Sequence, residues 1–294
     1  MIAQMVAYKT VVRDHVILTK PGIVLLVLIV ALAGMYMGQR GLPSPCLVSV
    51  TLVALALATG GSAVLNNFID RDIDRLMHRT RGRPIPQGRI HPDSALAFGL
   101  ALLALSICTL LLFVNAISAA LTSLSAFIYV IPYTLMMKKK THLVTHVGSI
   151  TGALPPVIGY TAVKGVIELE AVVMFAIMFL WQHPHFWAYA IKYKDDYHRA
   201  GIPVLPLSKG VRTTMLKTLI YTIVLLPVSL LPYFLKMSGV FYLVLALILG
   251  VLYIFLALRA YLSGNDNGKV LFIYSIVYIS VVFFGLIVDM VRSV

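Results

Sequence analysis

The sequence predicts an all-α membrane protein, a bundle of nine transmembrane helices. The chain has 294 residues, of which 60% are hydrophobic and only 12% are charged, a composition outside the usual range of soluble domains. Nearly charge-free runs of about 20 residues, the length that crosses a bilayer core, recur along the chain. These runs are 21–39, 45–69, 94–114, 117–137, 143–163, 168–191, 214–235, 239–258 and 270–290.

Two of these runs need separate justification. The segment before the first run carries charges and has no apolar signal-peptide core, and run 21–39 has no A-x-A-like cleavage site, so this run is predicted to be a retained span. The uncharged stretch 94–137 is too long for one span. A turn near Asn115 is predicted to divide it into two helices joined by a tight hairpin.

The positive charges predict the orientation of the bundle. Of the 24 Lys and Arg residues, 20 fall in one set of alternate connections and 4 in the other. Positive residues are retained on the cytoplasmic side, so we expect the N-terminus in the cytoplasm and the C-terminus outside. The absence of a transit-peptide-like leader favours a bacterial inner membrane.

The acidic residues are concentrated in two of the cytoplasmic connections. The whole chain, 1–294, is predicted to be a single polytopic domain with acidic loops at about 70–93 and 192–213. Both loops run from acidic through basic residues to a Pro-containing segment, which hints at a weak internal duplication. Five carboxylates are clustered there: Asp70, Asp72, Asp74, Asp195 and Asp196.

The first acidic loop has the pattern of a site for a metal-bound diphosphate. If the second span stays helical past Ile69, the residues Asn66, Asp70 and Asp74 share one face, because they are spaced four apart. Hard oxygen ligands of this kind suit Mg²⁺, and neighbouring guanidinium groups are suited to phosphate oxygens. The basic residues in question are Arg71, Arg75, Arg79, Arg81 and Arg83. An alternative stays open, in which these charges are salt-bridged on a solvated loop helix.

Several segments together resemble a known family. They are LTKPGI at 18–23, NNFIDRDIDRLMHRTRGRP at 66–84, YTLMMKKKT at 133–141, GALPPVIGY at 152–160, WQHPHFWAYAI at 181–191 and DYHRAGIPVLP at 196–206. The chain resembles, over nearly its whole length, the intramembrane prenyltransferases of the UbiA superfamily, and within it the heme O synthase (protoheme IX farnesyltransferase) branch. The wider superfamily usually has DxxxD in the second loop, whereas here the residue four after Asp196 is Ala200.

The resemblance implies a reaction and a set of site residues. A farnesyl group passes from farnesyl diphosphate to a vinyl group of heme B, giving heme O, with Mg²⁺ as cofactor. The implied catalytic residues are Asp70, Asp74 and Asp196, which with Asn66 are also the implied metal ligands. The missing DxxxD leaves one ligand of the second loop in doubt. The implied substrate-binding residues are Asn66, Arg71, Arg75, Arg79, Arg83, Lys20, Tyr133, Lys138, Tyr197 and His185.

One histidine in the sixth span is a candidate axial ligand for the heme. His183 and His185 are two residues apart, so both cannot face the same cavity unless Pro184 distorts the helix. His185 matches the PHF segment of the family and is the predicted ligand. The alternative is that its ring nitrogens are hydrogen-bonded by a hydroxyl or carbonyl of a neighbouring helix.

The expected partners are farnesyl diphosphate, heme B and membrane lipid, followed by a downstream heme-modifying enzyme or a terminal oxidase assembly; no nucleic acid is expected. Two other functions stay open. The chain is also compatible with a polyprenyltransferase for another acceptor such as a quinone precursor, which the PHF segment and the missing DxxxD disfavour. A secondary transporter is disfavoured because nearly all the charge lies at one membrane face, and transporters usually carry polar residues near the midplane.

Overall fold

The computed structural model describes residues 11–263 and 268–290, and most of them are helical. The long helices are α1 (Pro21–Gln39), α2 (Pro45–Asp74), α3 (Pro92–Phe113), α4 (Ala116–Ile128, continued by a π-helical segment, Tyr129–Met137), α5 (Val144–Lys164), α6 (Leu169–Lys192), α9 (Val211–Phe234), α10 (Val240–Ser263) and α11 (Gly268–Val288). Two short helices, α7 (Lys194–Arg199) and α8 (Leu205–Ser208), follow α6.

Seven of the long helices are long and apolar enough to cross a membrane: α1, α2, α3, α4 with its π-helical continuation, α9, α10 and α11. The protein is therefore an all-helical integral membrane protein. Helices α5 and α6 have 21 and 24 residues and lie where two further spans are predicted. They are less apolar because α5 carries hydroxyl residues and two prolines, and α6 carries Gln182, His183 and His185.

The polar character of α5 and α6 fits their position inside the bundle. Helix α5 packs between α1, α4 and α6, and α6 packs against α9 and α11. Most residues of α5 are buried among these neighbours. Side chains that face other helices rather than lipid tails can hydrogen-bond across the bundle. A large apolar core lies on the side formed by α6, α9, α10 and α11.

Helices α1 and α5 cross with their backbones in contact. A Cβ atom added at Gly159 would lie 1.9 Å from the carbonyl oxygen of Ala31, and one added at Gly34 would lie 2.0 Å from that of Pro156. Small residues at such crossings let membrane helices approach closely. The crossing fixes α1 against the centre of the bundle, with Lys20 immediately before its first turn.

The π-helical segment is a feature that the sequence analysis did not predict, since it expected a regular span over 117–137. Pro132 lies inside this segment and has no N–H to donate to the helical ladder. The wider turn is closed by other bonds: the hydroxyl of Thr134 donates to the carbonyl of Tyr129 over 2.7 Å. Such π-bulges are frequent at functional sites, and this one stacks the rings of Tyr129 and Tyr133 with their centroids 5.4 Å apart.

Candidate active site

The candidate site begins on α2, which continues as one helix to Asp74. Asn66, Asp70 and Asp74 therefore lie on one face, and they are 3%, 0% and 1% exposed. Asp72 points away from this face and is exposed. We call Asn66, Asp70 and Asp74 the stripe. The alternative of salt-bridged charges on a solvated loop helix holds only in part, because Asp70 and Asp74 are ion-paired but buried rather than solvated.

Two lysines approach the stripe from other elements. Lys20 Nζ donates to Asn66 Oδ1 over 2.7 Å, and the amide nitrogen of Asn66 donates to Asp70 Oδ2 over 2.8 Å. Lys138 forms a close ion pair with the same oxygen of Asp70. Burial, assisted by the nearby charges of Arg83 and Lys138, lowers the pKa of Lys20 to about 7. The stripe is thus met by two lysine amino groups that are poorly solvated.

The connection after α2 folds back over the stripe. Arg83 forms an ion pair with Asp74, with 2.6 Å between Nη1 and Oδ2, and the hydroxyl of Thr80 donates to the backbone carbonyl of Asp74 over 3.0 Å. An ion pair between Arg89 and Asp14, 2.8 Å apart, ties the same connection to the segment before α1. The loop is held by charge pairs at both ends.

The second acidic loop meets the first through Asp196. Its carboxylate accepts the backbone N–H of His78 over 3.0 Å and that of Arg79 over 3.2 Å, and it pairs closely with Arg199. Burial raises the pKa of Asp196, but the bonds from Arg199 and the two amides outweigh it, and the net pKa is lowered. The two acidic loops, distant in sequence, are therefore joined at this residue, while Asp195 is exposed.

These elements enclose a cavity of about 420 Å³, which we call the rim cavity. Its polar lining comprises Lys20, Asn66, Asp74, Arg79, Arg83 and Lys138, and its aromatic lining comprises Tyr129, Tyr133, Tyr189, Tyr197, His185, Phe186 and Phe272. Arg79 lies over the rings of Tyr189 and Tyr193, at 5.4 Å and 5.5 Å from their centroids. The clustered positive charge makes this end of the cavity suited to an anion.

Two of the arginines predicted to bind phosphate lie elsewhere. Arg71 donates to the carbonyl of Phe68 over 2.8 Å and stacks on that ring, and Arg75 is exposed. Neither lines the rim cavity. The reason is helical geometry, since a residue one place after Asp70 or Asp74 points about 100° away from the stripe. Arg81 is exposed as well.

A second, more apolar cavity of about 340 Å³ lies beneath the first, and we call it the deep cavity. The two share lining residues: Lys20, Ile23, Tyr129, Tyr133, His185 and Phe186. From α2 the deep cavity is lined by Ser62, Thr59, Ala58 and Leu55, and from α5 by Gly148, Gly152, Pro155 and Ile158. A charged rim thus leads into an apolar interior.

His185 lines both cavities. Its Nδ1 lies 2.7 Å from Ser275 Oγ, and that hydroxyl donates to the carbonyl of Phe272 over 2.6 Å. Because the single hydroxyl proton of Ser275 goes to that carbonyl, Nδ1 of His185 is the donor to Ser275 Oγ. Nε2 then carries no hydrogen and keeps a free lone pair. The ring is stacked between Trp181 and Phe272, with centroids 4.7 Å and 4.9 Å away.

His183 has a different environment. It is fully buried, its Nδ1 donates to the carbonyl of Phe179 over 2.8 Å, and its Nε2 lies 2.7 Å from Nδ1 of His146. It lines neither cavity. Of the two histidines in the sixth span, the structure turns only His185 towards the cavities, as the sequence analysis expected.

The UbiA prenyltransferase family model matches residues 27–282. The chain belongs to this family. The protoheme IX farnesyltransferase of Aquifex aeolicus (strain VF5) is 48% identical, covering 97% of this chain and 98% of that protein. The protein of the same name from Neorickettsia sennetsu is 42% identical, covering 96% and 94%.

Solved structures share the UbiA fold of this chain at low sequence identity. A structure of digeranylgeranylglyceryl phosphate synthase superposes with a TM-score of 0.81 at 19% identity, covering 95% of this chain and 98% of that one. A UbiA homolog from Archaeoglobus fulgidus, solved with DMAPP and Mg²⁺ bound, gives 0.69 at 17% identity, covering 94% and 99%. At these identities the likeness establishes the fold.

The donors at the rim of this UbiA-family site fit a hard cation that brings ligands of its own. Within 11–263 and 268–290, no three His, Cys, Asp or Glu side chains lie close enough together to hold a metal ion. Asp70 Oδ1, however, is a buried carboxylate oxygen without a hydrogen-bond partner. Mg²⁺ commonly takes one or two carboxylates and completes its shell with water and substrate phosphates, which matches this donor set.

Sequence reasoning missed several residues of the UbiA-family site. Tyr129, Tyr189 and Phe272 line the rim cavity, and Ser275 sets the tautomer of His185. Tyr129 could have been identified from the sequence, because it lies four residues before Tyr133 in a helical run and is therefore expected on the same face. The others come from helices far along the chain, and no local pattern marks them.

Proposed function

We propose that the chain transfers the farnesyl group of farnesyl diphosphate to a vinyl group of heme B, giving heme O. The observation that carries this proposal is the cationic rim cavity opening into an apolar one, in a chain 48% identical to a protoheme IX farnesyltransferase over nearly its full length. The charged diphosphate belongs at the rim and the isoprenoid in the apolar interior.

The rim residues would bind the diphosphate and hold it for departure. Lys20, Lys138, Arg79 and Arg83 line this end, and their positive charges stabilise the negative charge that develops on the leaving group. Arg83 and Lys138 are themselves fixed by Asp74 and Asp70. The cations are therefore preorganised before the substrate arrives.

Asn66, Asp70 and Asp74 are the residues proposed to hold Mg²⁺, with Asp196 as a further candidate. When bound, Mg²⁺ supplies Lewis-acid stabilisation of the diphosphate oxygens. Asp70 offers its unpartnered Oδ1. Asp196 already accepts three hydrogen bonds, so its role as a metal ligand stays a prediction.

Once the C–O bond breaks, the aromatic lining protects the allylic cation. Tyr129 and Tyr133 present stacked rings at the junction of the two cavities, and ring faces stabilise cations. Tyr197 is buried at the same rim, and its burial raises the pKa of its hydroxyl, so it stays a neutral hydrogen-bonding group. The apolar walls exclude water that would quench the cation.

The acceptor heme would be positioned by His185. Its Nε2 lone pair is free and its ring is fixed by stacking, which suits an axial ligand to iron. After the diphosphate has left, the vinyl group attacks the allylic cation, forming a C–C bond and moving the positive charge to the carbon of the former vinyl group next to the porphyrin ring. Water adds to the resulting cation and loses a proton, leaving a hydroxyethylfarnesyl side chain.

The location and orientation of the chain in the membrane are also part of the proposed function. We propose that 1–294 is one prenyltransferase domain whose nine long helices all cross the inner membrane of a bacterium, with the N-terminus and the rim cavity at the cytoplasmic side. The distribution of 20 of the 24 Lys and Arg residues supports this orientation. The apolar product would pass through the lipid, or directly, to a downstream heme-modifying enzyme or terminal oxidase assembly.

Mass analysis of hemes tests the proposal. Purified protein is incubated with heme B, farnesyl diphosphate and Mg²⁺, and the expected product is heme O. Chelation of the Mg²⁺ should stop its formation. A His185→Ala variant should lose the absorbance shift that marks axial binding of heme B. Unmodified heme, or prenylation of a quinone precursor instead, would contradict the assignment.

A further inference from the structure

The deep cavity follows α2 away from the diphosphate end. Its lining on this helix passes from Ser62 through Thr59 and Ala58 to Leu55, while Asn66 lines the rim cavity. Asn66 and Leu55 are eleven places apart on a continuous helix, which is a rise of about 16 Å at 1.5 Å per residue. The two cavities together therefore extend about 16 Å below the site of the diphosphate.

The deep cavity by itself is narrow. Its lining on α2 runs from Ala63 to Leu55, eight places or about 12 Å, so its volume of about 340 Å³ corresponds to a mean cross-section of roughly 30 Å². This is wide enough for one methyl-branched hydrocarbon chain. A flat macrocycle of four pyrrole rings is much wider, so the deep cavity suits the isoprenoid, and the heme belongs nearer the rim, beside His185.

The cavity ends at a closed floor. Leu55 and Ile158 line its far end and are each 2% exposed, and they pack in one apolar cluster with Ala31 and Leu154. Beside this cluster Gly159 meets the backbone of Ala31, where an added Cβ would lie 1.9 Å from a carbonyl oxygen. Because two helix backbones touch at this level, the floor cannot recede without moving α1 from α5.

We propose that Leu55 and Ile158 set the length of the isoprenoid chain that the protein accepts. The inference rests on the proposed farnesyl transfer. A farnesyl main chain of twelve carbons, with C–C bonds of about 1.5 Å, extends roughly 15 Å, which matches the depth to the floor. One further isoprene unit would meet Leu55 and Ile158, and a chain one unit shorter would leave the floor uncovered.

The test measures chain-length preference in competition. Wild type, Leu55→Ala and Leu55→Ala/Ile158→Ala are incubated with heme B and equal amounts of farnesyl and geranylgeranyl diphosphate. The two truncations together remove about the volume of one isoprene unit. We expect the geranylgeranyl-to-farnesyl product ratio to rise about tenfold or more, since one group too many in a tight apolar pocket is worth 10–200-fold.

Leu154→Ala is the matched control. Leu154 lies in the same apolar cluster, 6% exposed, but lines neither cavity, so its truncation loosens the packing without lengthening the pocket. Its product ratio should stay at the wild-type value. An unchanged ratio in the floor variants, with farnesyl transfer retained, overturns the proposal, and so does an equal rise in Leu154→Ala.

A reciprocal variant decides the matter if the enlarged variants are too unstable to assay. Thr59 lies one helical turn above Leu55 and is half-buried at the cavity wall. Thr59→Leu should raise the geranyl-to-farnesyl ratio about tenfold, and an unchanged ratio overturns the proposal. Failure of the wild type to convert heme B with farnesyl diphosphate would instead refute the proposed function, which separates the two results.

Discussion

The two acidic loops use the same side chain in opposite ways. On α2, Asp70 and Asp74 are buried, pair with basic side chains, and leave Asp70 Oδ1 without a partner. In the second loop, the carboxylate of Asp196 accepts hydrogen bonds from the backbone amides of His78 and Arg79 and forms an ion pair with Arg199. In the first set Asp74 lines the rim cavity, and Asp70 pairs with Lys138, which lines it. Asp196 instead joins two connections of the chain.

Because the two sets of aspartates have different bonding partners, we expect them to have different roles. Asp196 fixes the backbone at His78 and Arg79, and Arg79 lines the rim cavity. Its contribution to substrate binding would then pass through Arg79, and Asp196 would be a positioning residue. On α2, in contrast, Asn66 and Asp74 line the rim cavity themselves. Variants of each group separate these roles.

The largest effect is expected for Asp70→Asn. The change keeps the shape but removes a buried charge that pairs with Lys138, a residue of the rim cavity, so heme O formation should fall about a hundredfold or more. Turnover is measured with saturating substrates, together with thermal unfolding to exclude loss of fold. Asp72→Asn, on the exposed side of the same helix, is the control and should retain activity. Equal activity of both variants would remove the stripe from the site.

The second-largest effect is expected for Arg79→Ala. Arg79 lines the rim cavity and is steadied by the rings of Tyr189 and Tyr193. Loss of one charge-assisted hydrogen bond to the diphosphate is worth about 1.5–3 kcal/mol, so KM for farnesyl diphosphate should rise tenfold or more, with heme affinity unchanged. Steady-state kinetics with each substrate varied in turn measures this. A KM within twofold of wild type would contradict it.

Asp196→Ala should have a similar but smaller effect on KM, because it acts through the backbone of Arg79. The decisive measurement is the double variant with Arg79→Ala. If Asp196 only positions Arg79, the double variant is no worse than Arg79→Ala alone, as expected for coupled residues.

A direct role for Asp196 as a metal ligand gives a different pattern. The two effects would then add, and the Mg²⁺ concentration for half-maximal rate would rise in Asp196→Ala but not in Arg79→Ala. That outcome would break the contrast between the loops and restore the expectation that the family resemblance raised for Asp196.

The smallest effect is expected for Arg71→Ala and Arg75→Ala. Arg71 is bonded to the carbonyl of Phe68, and Arg75 is exposed, so KM for farnesyl diphosphate should stay within about twofold of wild type, as for most surface substitutions. The measurement is the same as for Arg79→Ala. A tenfold rise in either would mean that these side chains turn towards the diphosphate when it binds.

Much of the architecture could be read from the chain because it depends on local physics. Runs without charge predicted where long helices lie, and the four-residue spacing predicted that Asn66, Asp70 and Asp74 share a face. The same helical geometry, applied to Arg71 and Arg75, would have shown that they point elsewhere. Composition also explains why α5 and α6 are not among the seven helices that are apolar enough to cross a membrane, since they carry polar groups that lie inside the bundle.

The sequence by itself determined the membrane bundle, the acidic stripe and the clustering of basic residues near it, because helical period and hydropathy act over a few turns. Only the tertiary structure decided that Asp196 bonds to the backbone after α2, that Ser275 fixes the tautomer of His185, and that Leu55 and Ile158 close the deep cavity. Each of these depends on helices that are far apart in the chain, and their contacts follow from how whole helices pack, which no local pattern encodes.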